Sequence, residues 1–551
     1  MHKFQDSEVT SPMQSKVVHQ KSFNVGDQVE VSGFYKPHDK FRVELKFEYN
    51  LSQDKPESDF LVETYMFIPQ ALGLTDNLIR STDFFADIRS YMRYAVQPME
   101  LSELADFKNS LSPMARVYEF LQFGKVVERS NQPANFFLHE SKLITCIFKE
   151  TVKLEMNKID DVLKSCKGNL EALAFCRKLA ENLHTQVVLV QKQFYALDSL
   201  VKDNEHVSLD DHEGFEGVFE FFYYEMNLYF VSITEKIKQI ELLEGDIKNL
   251  KAVVKNDFKT FSEFSKNRGY ILLNEDSSDR EREKFIYREG KLKKFVSSIL
   301  FLNRDIKSNK KAEELLFAVA AGMAMLFAVV MAVIATFYWS INSVPWMLTA
   351  VLVYIIRDRG KAWMQEKFRS LAPVYLAHRT QKLIEENIGK VGFLKEWLVF
   401  KSYNQIPSDI LDVRSLNREM AGAFKKNEDI LYYKKHINLN NEIISANHQR
   451  VSKVVNILRL NMKRFCAYMD DPAKVLNVLN SNGEVNSILG RKVYHLNVVF
   501  KIISNYGKEN AESEKLNLKI IISRDGIERI ESPYGQQMSK LFELTWFAGQ
   551  V

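Results

Sequence analysis

Few residues in this chain have the types and spacing that catalysis requires. Asp470 and Asp471 are adjacent carboxylic acids, which could act as a general acid–base pair. His436, His448 and His495 occur in the same part of the chain and could converge with that pair. A proline follows Asp471, however, and an aspartate before a proline is the ordinary start of a helix. An enzyme that uses Asp470 and Asp471 is therefore the weakest of three functional hypotheses.

Potential metal ligands are densest in one short polar stretch. They are Glu205, His206, Asp210, Asp211, His212 and Glu213. A divalent cation would need this stretch to fold back around it. Ser208 and Asp211 have the spacing of a helix-capping pair, and acidic residues are favoured in the first turn of a helix. The capping interpretation is simpler, so we predict no metal ion and no cofactor.

The sequence lacks the established motifs for nucleotide binding and hydrolysis. It has no P-loop, Rossmann fingerprint, HExxH, nucleophile elbow or paired CxxC. Its four cysteines, Cys146, Cys166, Cys176 and Cys466, are scattered, which is typical of reduced cytosolic thiols. The net charge of +4 over 551 residues is too small to indicate nucleic-acid binding. We therefore predict a non-enzymatic protein without a nucleic-acid partner.

A long apolar run divides the chain into two arms. Leu315–Ile356 contains 42 residues and no charged side chain. One membrane-spanning helix needs about 20 residues, so we predict a transmembrane hairpin of two helices at 312–357, with a turn at Tyr338–Trp346. The second helix, from Pro345, is too short to span a bilayer by its apolar residues alone. It therefore has to include flanking residues, or the bilayer has to be thinner around it. A re-entrant second segment is the alternative.

Small residues recur on the first helix of this predicted hairpin. They are Ala320, Gly322, Ala324, Ala328, Ala332 and Thr336. A ridge of small side chains lets another helix approach closely inside a membrane, where lipid offers no hydrophobic driving force. We expect this ridge to pack on the second helix of the hairpin or on another subunit.

Basic residues lie on both sides of the apolar run, and the predicted turn has none. Those predicted to contact lipid headgroups are Lys291, Lys293, Lys294, Lys310, Lys311, Arg357, Arg359 and Lys361. Because basic residues near membrane helices remain on the cytoplasmic side, we expect both arms and both termini in the cytoplasm. The predicted location is the plasma (inner) membrane, in a multi-pass arrangement.

The first arm combines a small sheet with a helical region. Residues 1–20 are polar and are predicted to form a disordered tail rather than a signal peptide. Apolar and polar residues alternate along 21–70, which predicts a small antiparallel β subdomain. Residues 71–273 predict a helical bundle, with a first helix at Ser81–Ala95. A single long helix is predicted at Glu213–Lys266, and its apolar seam suits either an intramolecular bundle or a homodimeric coiled coil.

The first arm ends in a linker and a basic juxtamembrane helix at 274–311. The apolar positions of this helix, Leu292–Leu302, are typical of a helix that lies in the membrane surface or runs down to it. Residues 358–551 predict a cytoplasmic α+β domain, with a helix at Glu442–Tyr468. The run Tyr432–Lys435 predicts a strand with one buried and one solvated face. Strands are predicted at 381–387, 391–401, 430–439, 493–504, 516–523 and 527–531. The predicted fold class is thus α+β and membrane-anchored.

Two functional hypotheses remain ahead of the enzymatic one. The first is a membrane-anchored scaffold or sensor, whose arms bind a protein partner or a second copy of the chain. The second is an oligomeric membrane effector, a channel or leak gated by its cytoplasmic arms. Because the hairpin has no ionisable residue at depth, a pore would have to be lined by several copies.

Overall fold

The structure of the chain is a computed structural model. It describes residues 19–21, 33–51, 55–74, 81–124, 135–165, 169–202, 204–244, 247–308, 310–341, 343–375, 377–415, 428–448, 450–481 and 483–532. These residues divide into two compact units. The sheet unit contains those within 1–92, 302–449 and 453–543, and the helical unit contains those within 93–301 and 450–452.

Strands occur at both ends of the chain. They are β1 (His19–Lys21), β2 (Gly33–Pro37), β3 (Arg42–Asn50), β4 (Glu57–Pro69), β5 (Ile88–Tyr94), β6 (Asn303–Ser308), β7 (Arg379–Glu385), β8 (Gly389–Lys401), β9 (Glu428–Asn440), β10 (Lys453–Asn461), β11 (Ala473–Leu479), β12 (Val485–Arg491), β13 (Tyr494–Ser504), β14 (Glu512–Ser523) and β15 (Gly526–Glu531). The strands predicted at 381–387, 391–401, 430–439, 493–504, 516–523 and 527–531 are all confirmed, as β7, β8, β9, β13, β14 and β15.

Helices fill most of the middle of the chain. They are α1 (Ser81–Asp87), α2 (Leu101–Leu104), α3 (Pro113–Phe123), α4 (Phe136–Ser165), α5 (Leu170–Val201), α6 (Leu209–Glu244), α7 (Lys248–Arg268), α8 (Asp279–Ser297), α9 (Lys310–Tyr338), α10 (Val344–Tyr375), α11 (Ser408–Ser415), α12 (Asn441–Asn447) and α13 (Lys463–Ala467). The chain is therefore a mixed α+β protein, as its sequence predicts.

The larger sheet of the sheet unit joins both ends of the sequence. Its eight antiparallel strands have the order β15-β14-β13-β4-β9-β8-β7-β6. β4 lies between β13 and β9, pairing Met66 with Val498 and Glu57 with Asn440. The segments at 21–70 and 358–551, predicted as separate domains, thus contribute strands to the same sheet. Period-two alternation identifies a strand but does not say which strand it pairs with.

A second sheet packs face to face on the first. It has five strands in the order β1-β2-β3-β10-β5. The aromatic rings of Tyr49 on β3 and Phe60 on β4 lie 4.7 Å apart between centroids, and those of Phe47 and Phe500 lie 5.6 Å apart. The opposite face of the larger sheet is covered by α11 through Ile410. The central strands of the large sheet, β4, β9 and β13, are therefore covered on both faces, while β6 at its edge is exposed.

The helical unit is a bundle built around α6. The aromatic run at 219–230 is buried, with Phe219, Phe222 and Tyr223 almost fully inaccessible, as expected for a core helix. Seven residues of the predicted seam lie in this same core, which supports the intramolecular interpretation: Ile233, Ile237, Ile240, Ile247, Leu250, Val254 and Phe261. Phe258 of the seam is 39 % exposed. Local sequence sets the helix ends: Ser112 caps α3 ahead of a proline, and Gly124 ends it at φ 66°.

Three helix predictions are wrong in detail. Ser81–Ala95 contains the short helix α1 and then β5, whose buried positions alternate from Ile88 to Tyr94. Glu442–Tyr468 contains α12, β10 and α13, because the β-branched run around Val454 is buried in a sheet. The long helix predicted at Glu213–Lys266 is divided into α6 and α7. Short apolar runs fit a buried strand and a helix face equally well.

The apolar run forms two helices, α9 and α10, that pack against each other. One helix of the described chain, Glu314–Tyr338 within α9, is long and apolar enough to cross a membrane. α10 is 32 residues long, but its apolar part ends at Ile356 and its second half is charged. The helical hairpin is therefore present, whereas its two-span transmembrane character is not confirmed.

β11 and β12 form a hairpin that the sequence analysis did not predict. Among the described strands they pair only with each other, and register aligns Val475 with Leu489 and Leu476 with Ile488. All seven positions of β11 and six of seven in β12 are exposed. We call residues 473–491 the β-finger.

Candidate functional site

The α9–α10 hairpin has an unusually apolar surface. Twelve large apolar side chains of α9 are between 42 and 81 % exposed, from Leu315 near its start to Phe337 and Tyr338 at its end. The same is true of α10 from Val344 to Ile356. A water-soluble protein rarely exposes a contiguous apolar patch larger than a few hundred Å². The hairpin surface is therefore the leading candidate for an interaction site.

The small-residue ridge divides between the inside and the outside of the hairpin. Ala320 and Ala324 are buried against α10, while Ala328 and Ala332 line a groove of about 180 Å³ with Val353. Gly322 and Thr336 are exposed, and a Cβ atom on Gly322 would meet nothing within 4 Å. Part of the predicted ridge thus packs within the hairpin. Sequence reasoning missed Ala335, which is buried on the same inner face.

Arg357 marks the change from apolar to charged residues on α10. Its Nη1 atom lies 4.0 Å from Sδ of Met325, near the middle of the apolar span of α9. Its guanidinium also lies 4.3 Å from the centre of the Tyr354 ring. The exposed residues Asp358 and Arg359 follow directly. The charged half of α10 therefore begins opposite the middle of the apolar part of α9.

The predicted headgroup-contacting residues lie in two different units. Lys291 and Lys294 are exposed on α8 of the helical unit, and Lys293 beside them is half-buried. Arg359 is exposed on α10 of the sheet unit, with Arg357 and Lys361 half-buried. Lys310 and Lys311 begin α9, and their side chains are outside the described part of the structure.

The apolar face of α8 does not lie on a membrane surface. Leu292 and Val296 are buried in the core of the helical bundle, and Phe295 packs against it. Lys142 lies over the Phe295 ring, with Nζ 3.7 Å from its centre. This corrects the predicted surface-lying helix at 274–311. A helix with one apolar stripe can bury that stripe in lipid or in protein, and its sequence alone does not distinguish the two.

Asp470 and Asp471 lie at the base of the β-finger and are both engaged in ion pairs. The Asp470 carboxylate accepts a hydrogen bond from Lys492 and one from the Tyr494 hydroxyl at 2.8 Å, while Asp471 pairs with Arg524. These bonds from Lys492 and Tyr494 lower the pKa of Asp470 below its ordinary value. A general acid instead needs a raised pKa. The contacts of the two carboxylates join the base of the finger to Lys492, Tyr494 and Arg524.

The histidines predicted as partners of that pair have other contacts. His436 bonds Asp59 at 3.2 Å, and His448 bonds Glu385 at 2.7 Å. The polar stretch at 205–213 contains the predicted cap, in which the Asp211 backbone N–H donates to Ser208 Oγ at 3.1 Å. Within the described ranges, no group of three or more His, Cys, Asp or Glu is placed to hold a metal ion.

A buried polar cluster between the two sheets was missed by sequence reasoning. Lys435 on β9 is 1 % exposed and donates hydrogen bonds to Ser90 Oγ at 2.7 Å and Asn456 Oδ1 at 3.0 Å. Glu396, paired across from Lys435 on β8, accepts bonds from Arg379 at 2.7 Å and from the side chains of neighbouring strands. The predicted solvated face of Tyr432–Lys435 is therefore wrong, because β9 is covered on both faces.

The protonation of this cluster follows from its burial. Desolvation lowers the pKa of the Lys435 ammonium from 10.5 to about 8, against the opposing attraction of Glu396. Burial alone would raise the pKa of Glu396, but Lys435 and Arg379 hold it below its ordinary value. The cluster is internally satisfied, and its chemistry is that of a structural network.

A cleft with a volume of about 480 Å³ lies in the helical unit. Glu220, Tyr270, Lys284, Tyr287 and Arg288 contribute its polar lining. Arg288 already forms a paired ion contact with Glu220, at 2.6 Å from Nη2 to Oε2. The charges that could hold a ligand in this cleft are therefore largely bound to each other.

Comparison with known proteins adds no relative. The chain matches no protein-family model, no curated protein and no solved structure.

Proposed function

We propose that this chain is a non-enzymatic membrane-anchored protein, and that its α9–α10 hairpin enters a lipid bilayer. The observation that carries this proposal is the exposed apolar surface of the hairpin, which continues around both helices. Water is a poor solvent for such a surface, while hydrocarbon accepts it. An α-helix also satisfies its backbone hydrogen bonds internally, so it can face lipid without unpaired polar groups.

The charge distribution supports a hairpin whose two ends remain on one side. The turn between α9 and α10 contains no basic residue, and Arg357, Arg359 and Lys361 follow the apolar part of α10. From the start of α10 at Val344, Arg357 is about 20 Å along the helix axis at a rise of 1.5 Å per residue. A long arginine side chain can extend from this depth toward headgroups, with local thinning of the bilayer. Both arms then lie in the cytoplasm.

In this proposal the two arms act by binding rather than by catalysis. Support comes from their polar interior groups, which are engaged with each other: Lys435 with Ser90 and Asn456, and Glu396 with Arg379. The exposed β-finger supplies apolar surface of the kind that protein partners cover. The chain would therefore hold a protein partner at the plasma (inner) membrane.

The test is flotation of the purified chain with lipid vesicles, combined with labelling of a cysteine at Ser340. In intact cells a membrane-impermeant thiol reagent should label Ser340→Cys, at the turn, and should not label Ser481→Cys on the β-finger. The described native cysteines Cys146, Cys176 and Cys466 are buried, so the background should be low. Absence of the chain from the floating fraction, or labelling of Ser481→Cys alone, would overturn the proposal.

A second candidate function, an oligomeric channel or leak, is favoured by one observation. The charged part of α10 begins beside the middle of the apolar span of α9, with Arg357, Asp358 and Arg359. Charged residues at such depth almost always face other protein or a water-filled space, which several hairpins could enclose. Ion flux through vesicles that contain the purified chain would favour this function. Tight vesicles containing correctly inserted chains would exclude it and leave the anchor.

A further inference from the structure

The groove between α9 and α10 combines an apolar wall with hydrogen-bond donors. Its volume is about 180 Å³, and Ala328, Ala332 and Ala335 form its wall on α9. Trp346 and Arg357 line it on α10. About three helical turns separate these two residues, so they share one face of α10. Among the described residues that line the groove there is no aspartate or glutamate.

The guanidinium of Arg357 bonds to no oxygen atom of the described chain. Its contacts there are Met325 Sδ at 4.0 Å and the Tyr354 ring, whose centre is 4.3 Å away. Asp358 is the next residue, but it is exposed and outside the groove lining. Glu314 on α9 is about 16 Å from Met325 along the helix axis. Within the described residues, therefore, no acid neutralises Arg357.

The indole N–H of Trp346 is a second donor without an acceptor. Its Nε1 atom is buried and has no hydrogen-bond partner among the described residues. A buried donor without an acceptor costs free energy, and in hydrocarbon no water can replace the missing partner. An oxygen-bearing molecule that enters between the two helices would remove this cost.

These features specify the chemistry of a ligand. A guanidinium binds a carboxylate or a phosphate through two parallel hydrogen bonds, so Arg357 calls for an oxyanion. The alanine wall of α9 calls for an apolar chain. The Trp346 N–H calls for a second, uncharged oxygen acceptor. The groove therefore suits an anionic amphiphile rather than a purely polar or a purely apolar molecule.

A phospholipid supplies all three groups, whereas simpler anions do not. Inorganic phosphate has no apolar chain, and a free fatty acid has no acceptor besides its carboxylate. A phospholipid has a phosphate, ester carbonyls and acyl chains in that order. The groove holds about six groups of the size of water, which is enough for the ester region and the first part of one chain. The rest of the lipid would lie in the bilayer beside the hairpin.

We propose that this groove binds one anionic phospholipid of the cytoplasmic leaflet, with its phosphate on Arg357 and an acyl chain along the alanines of α9. An ester carbonyl of the lipid accepts the hydrogen bond from Trp346. This inference rests on the membrane entry proposed above for the hairpin. It names the molecule that supplies a counter-charge to Arg357 inside the bilayer, where a lone cation is costly.

The test counts lipids on the full chain by native mass spectrometry after purification in a neutral detergent. Phosphatidylglycerol, phosphatidylcholine and oleate are added in separate samples. One phosphatidylglycerol should be retained on each chain of 64.1 kDa. Phosphatidylcholine has a cation of its own beside the phosphate, and oleate has no ester. Each of these should be retained about five-fold less or weaker still, as expected for one lost hydrogen bond or charge contact.

Variants of the two donors test the polar contacts. Arg357→Gln should lower retention of phosphatidylglycerol roughly ten-fold or more, because charge-assisted hydrogen bonds are lost. Arg357→Lys should restore part of it. Arg359→Gln makes the same change of charge at an exposed position outside the groove lining, and should have no effect. Trp346→Phe keeps an aromatic ring without the N–H and should lower retention roughly five-fold.

Filling the groove tests the apolar contact while both donors remain. Ala332→Leu adds volume to the groove wall and should lower retention of phosphatidylglycerol. Ala318→Leu adds the same volume at an exposed position of α9 outside the groove lining, and should leave retention unchanged. The unfolding midpoint of each variant in detergent reports whether the chain is still folded. The comparison of Arg357→Gln with Arg359→Gln adds no volume, so it decides the proposal if Ala332→Leu does not fold.

Flotation with vesicles separates this site from the anchor. Arg357→Gln should float as the unmodified chain does, since removal of a charge favours insertion. A chain that retains phosphatidylglycerol in detergent but does not float would overturn the anchor and not the groove. Equal retention of phosphatidylglycerol and phosphatidylcholine, preference for oleate, displacement of the lipid by inorganic phosphate, or full retention in Arg357→Gln would each overturn the phospholipid site.

Discussion

The α9–α10 hairpin and the β-finger expose the same kind of side chain on different backbones. Both belong to the sheet unit, and both present large aliphatic residues in more than one direction, such as Leu326 on α9 and Leu489 on β12. The helices bond their own N–H and C=O groups along their length. The finger bonds one edge of each strand to the other strand and leaves two edges open.

This difference separates a surface suited to lipid from one suited to protein. In hydrocarbon, an unpaired backbone group costs several kcal/mol, so only helices and closed barrels are stable there. Next to protein, open strand edges and flat apolar faces can be paired and covered. Apolar exposure alone therefore does not identify the partner of a surface, and the backbone has to be considered with it.

The largest expected effect comes from charging the outer face of α9. Leu326→Lys with Val330→Lys places two ammonium groups near the middle of the apolar span, where each costs about 3 kcal/mol on insertion. Together they should reduce membrane partition by roughly 10⁴-fold. Flotation with vesicles measures the bound fraction, which should become undetectable.

The β-finger provides the control for that loss. Leu476→Lys with Ile488→Lys carries the same added charge on an equally apolar surface, and its floating fraction should remain that of the unmodified chain. Equal losses for the two double variants would break the distinction between a lipid-facing and a protein-facing surface. The anchor would then include the finger.

The next largest expected effect is a pH dependence of the stability of the sheet unit, which contains both the α9–α10 hairpin and the β-finger. The pKa of Lys435 is about 8 in the folded chain and 10.5 when unfolded. Between these values the unfolded state binds more protons, so the free energy of unfolding rises with pH. We expect a gain of about 2 kcal/mol from pH 7 to pH 9.5. Urea unfolding of the sheet unit, followed by its near-ultraviolet signal, measures this gain.

Replacement of the buried lysine should remove that pH dependence. Lys435→Met fills a similar volume without a charge, so the stability of this variant should stay flat over the same range. Its vesicle flotation should equal that of the unmodified chain, since the α9–α10 hairpin does not contain the cluster. A variant that no longer floats would show that the apolar surface of the hairpin depends on the interior of the sheet unit.

A smaller effect distinguishes the inside of the α9–α10 hairpin from its outside. Ala324 is buried against α10, and Ala324→Leu would force the two helices apart at a cost of about 1–3 kcal/mol. Gly322 is on the open side, so Gly322→Leu should be tolerated and should leave the unfolding midpoint in detergent unchanged or higher. If Gly322→Leu were the more harmful change, the outer face of α9 would contact protein rather than lipid.

The sequence predicts individual strands and helices better than it predicts their partners. The alternation from Arg42 to Asn50 identifies β3 correctly, but its neighbour β10 comes from a segment that was predicted as a helix. The apolar run predicts the two helices of the hairpin, because its 42 uncharged residues exceed the about 20 that one membrane-spanning helix needs. Local composition carries this information, whereas pairing between distant segments depends on packing that one sequence does not display.

The β-finger and the buried Lys435 cluster differ in what the sequence reveals about them. The Asn482-Gly483 dipeptide between aliphatic runs is a strong hairpin signal that could have located the turn of the β-finger. Lys435 and Glu396 had no such signal, since a charged residue in a strand is ordinarily solvated. Only the second sheet, with Ser90 and Asn456, makes that position buried.

The smallest expected effect tests whether the base of the β-finger only orients it. Hydrogen bonds from Lys492 and Tyr494 lower the pKa of Asp470, so this brace is present above the ordinary aspartate pKa and is lost as pH falls through the lowered value. The rate of proteolysis within the finger should therefore be constant from pH 8 to pH 5. Asp470→Asn should raise that rate about five-fold or less, as the loss of an exposed ion pair does, and 1 M salt should remove the difference. A much larger rise in Asp470→Asn would mean that the brace keeps the finger folded rather than only orienting it.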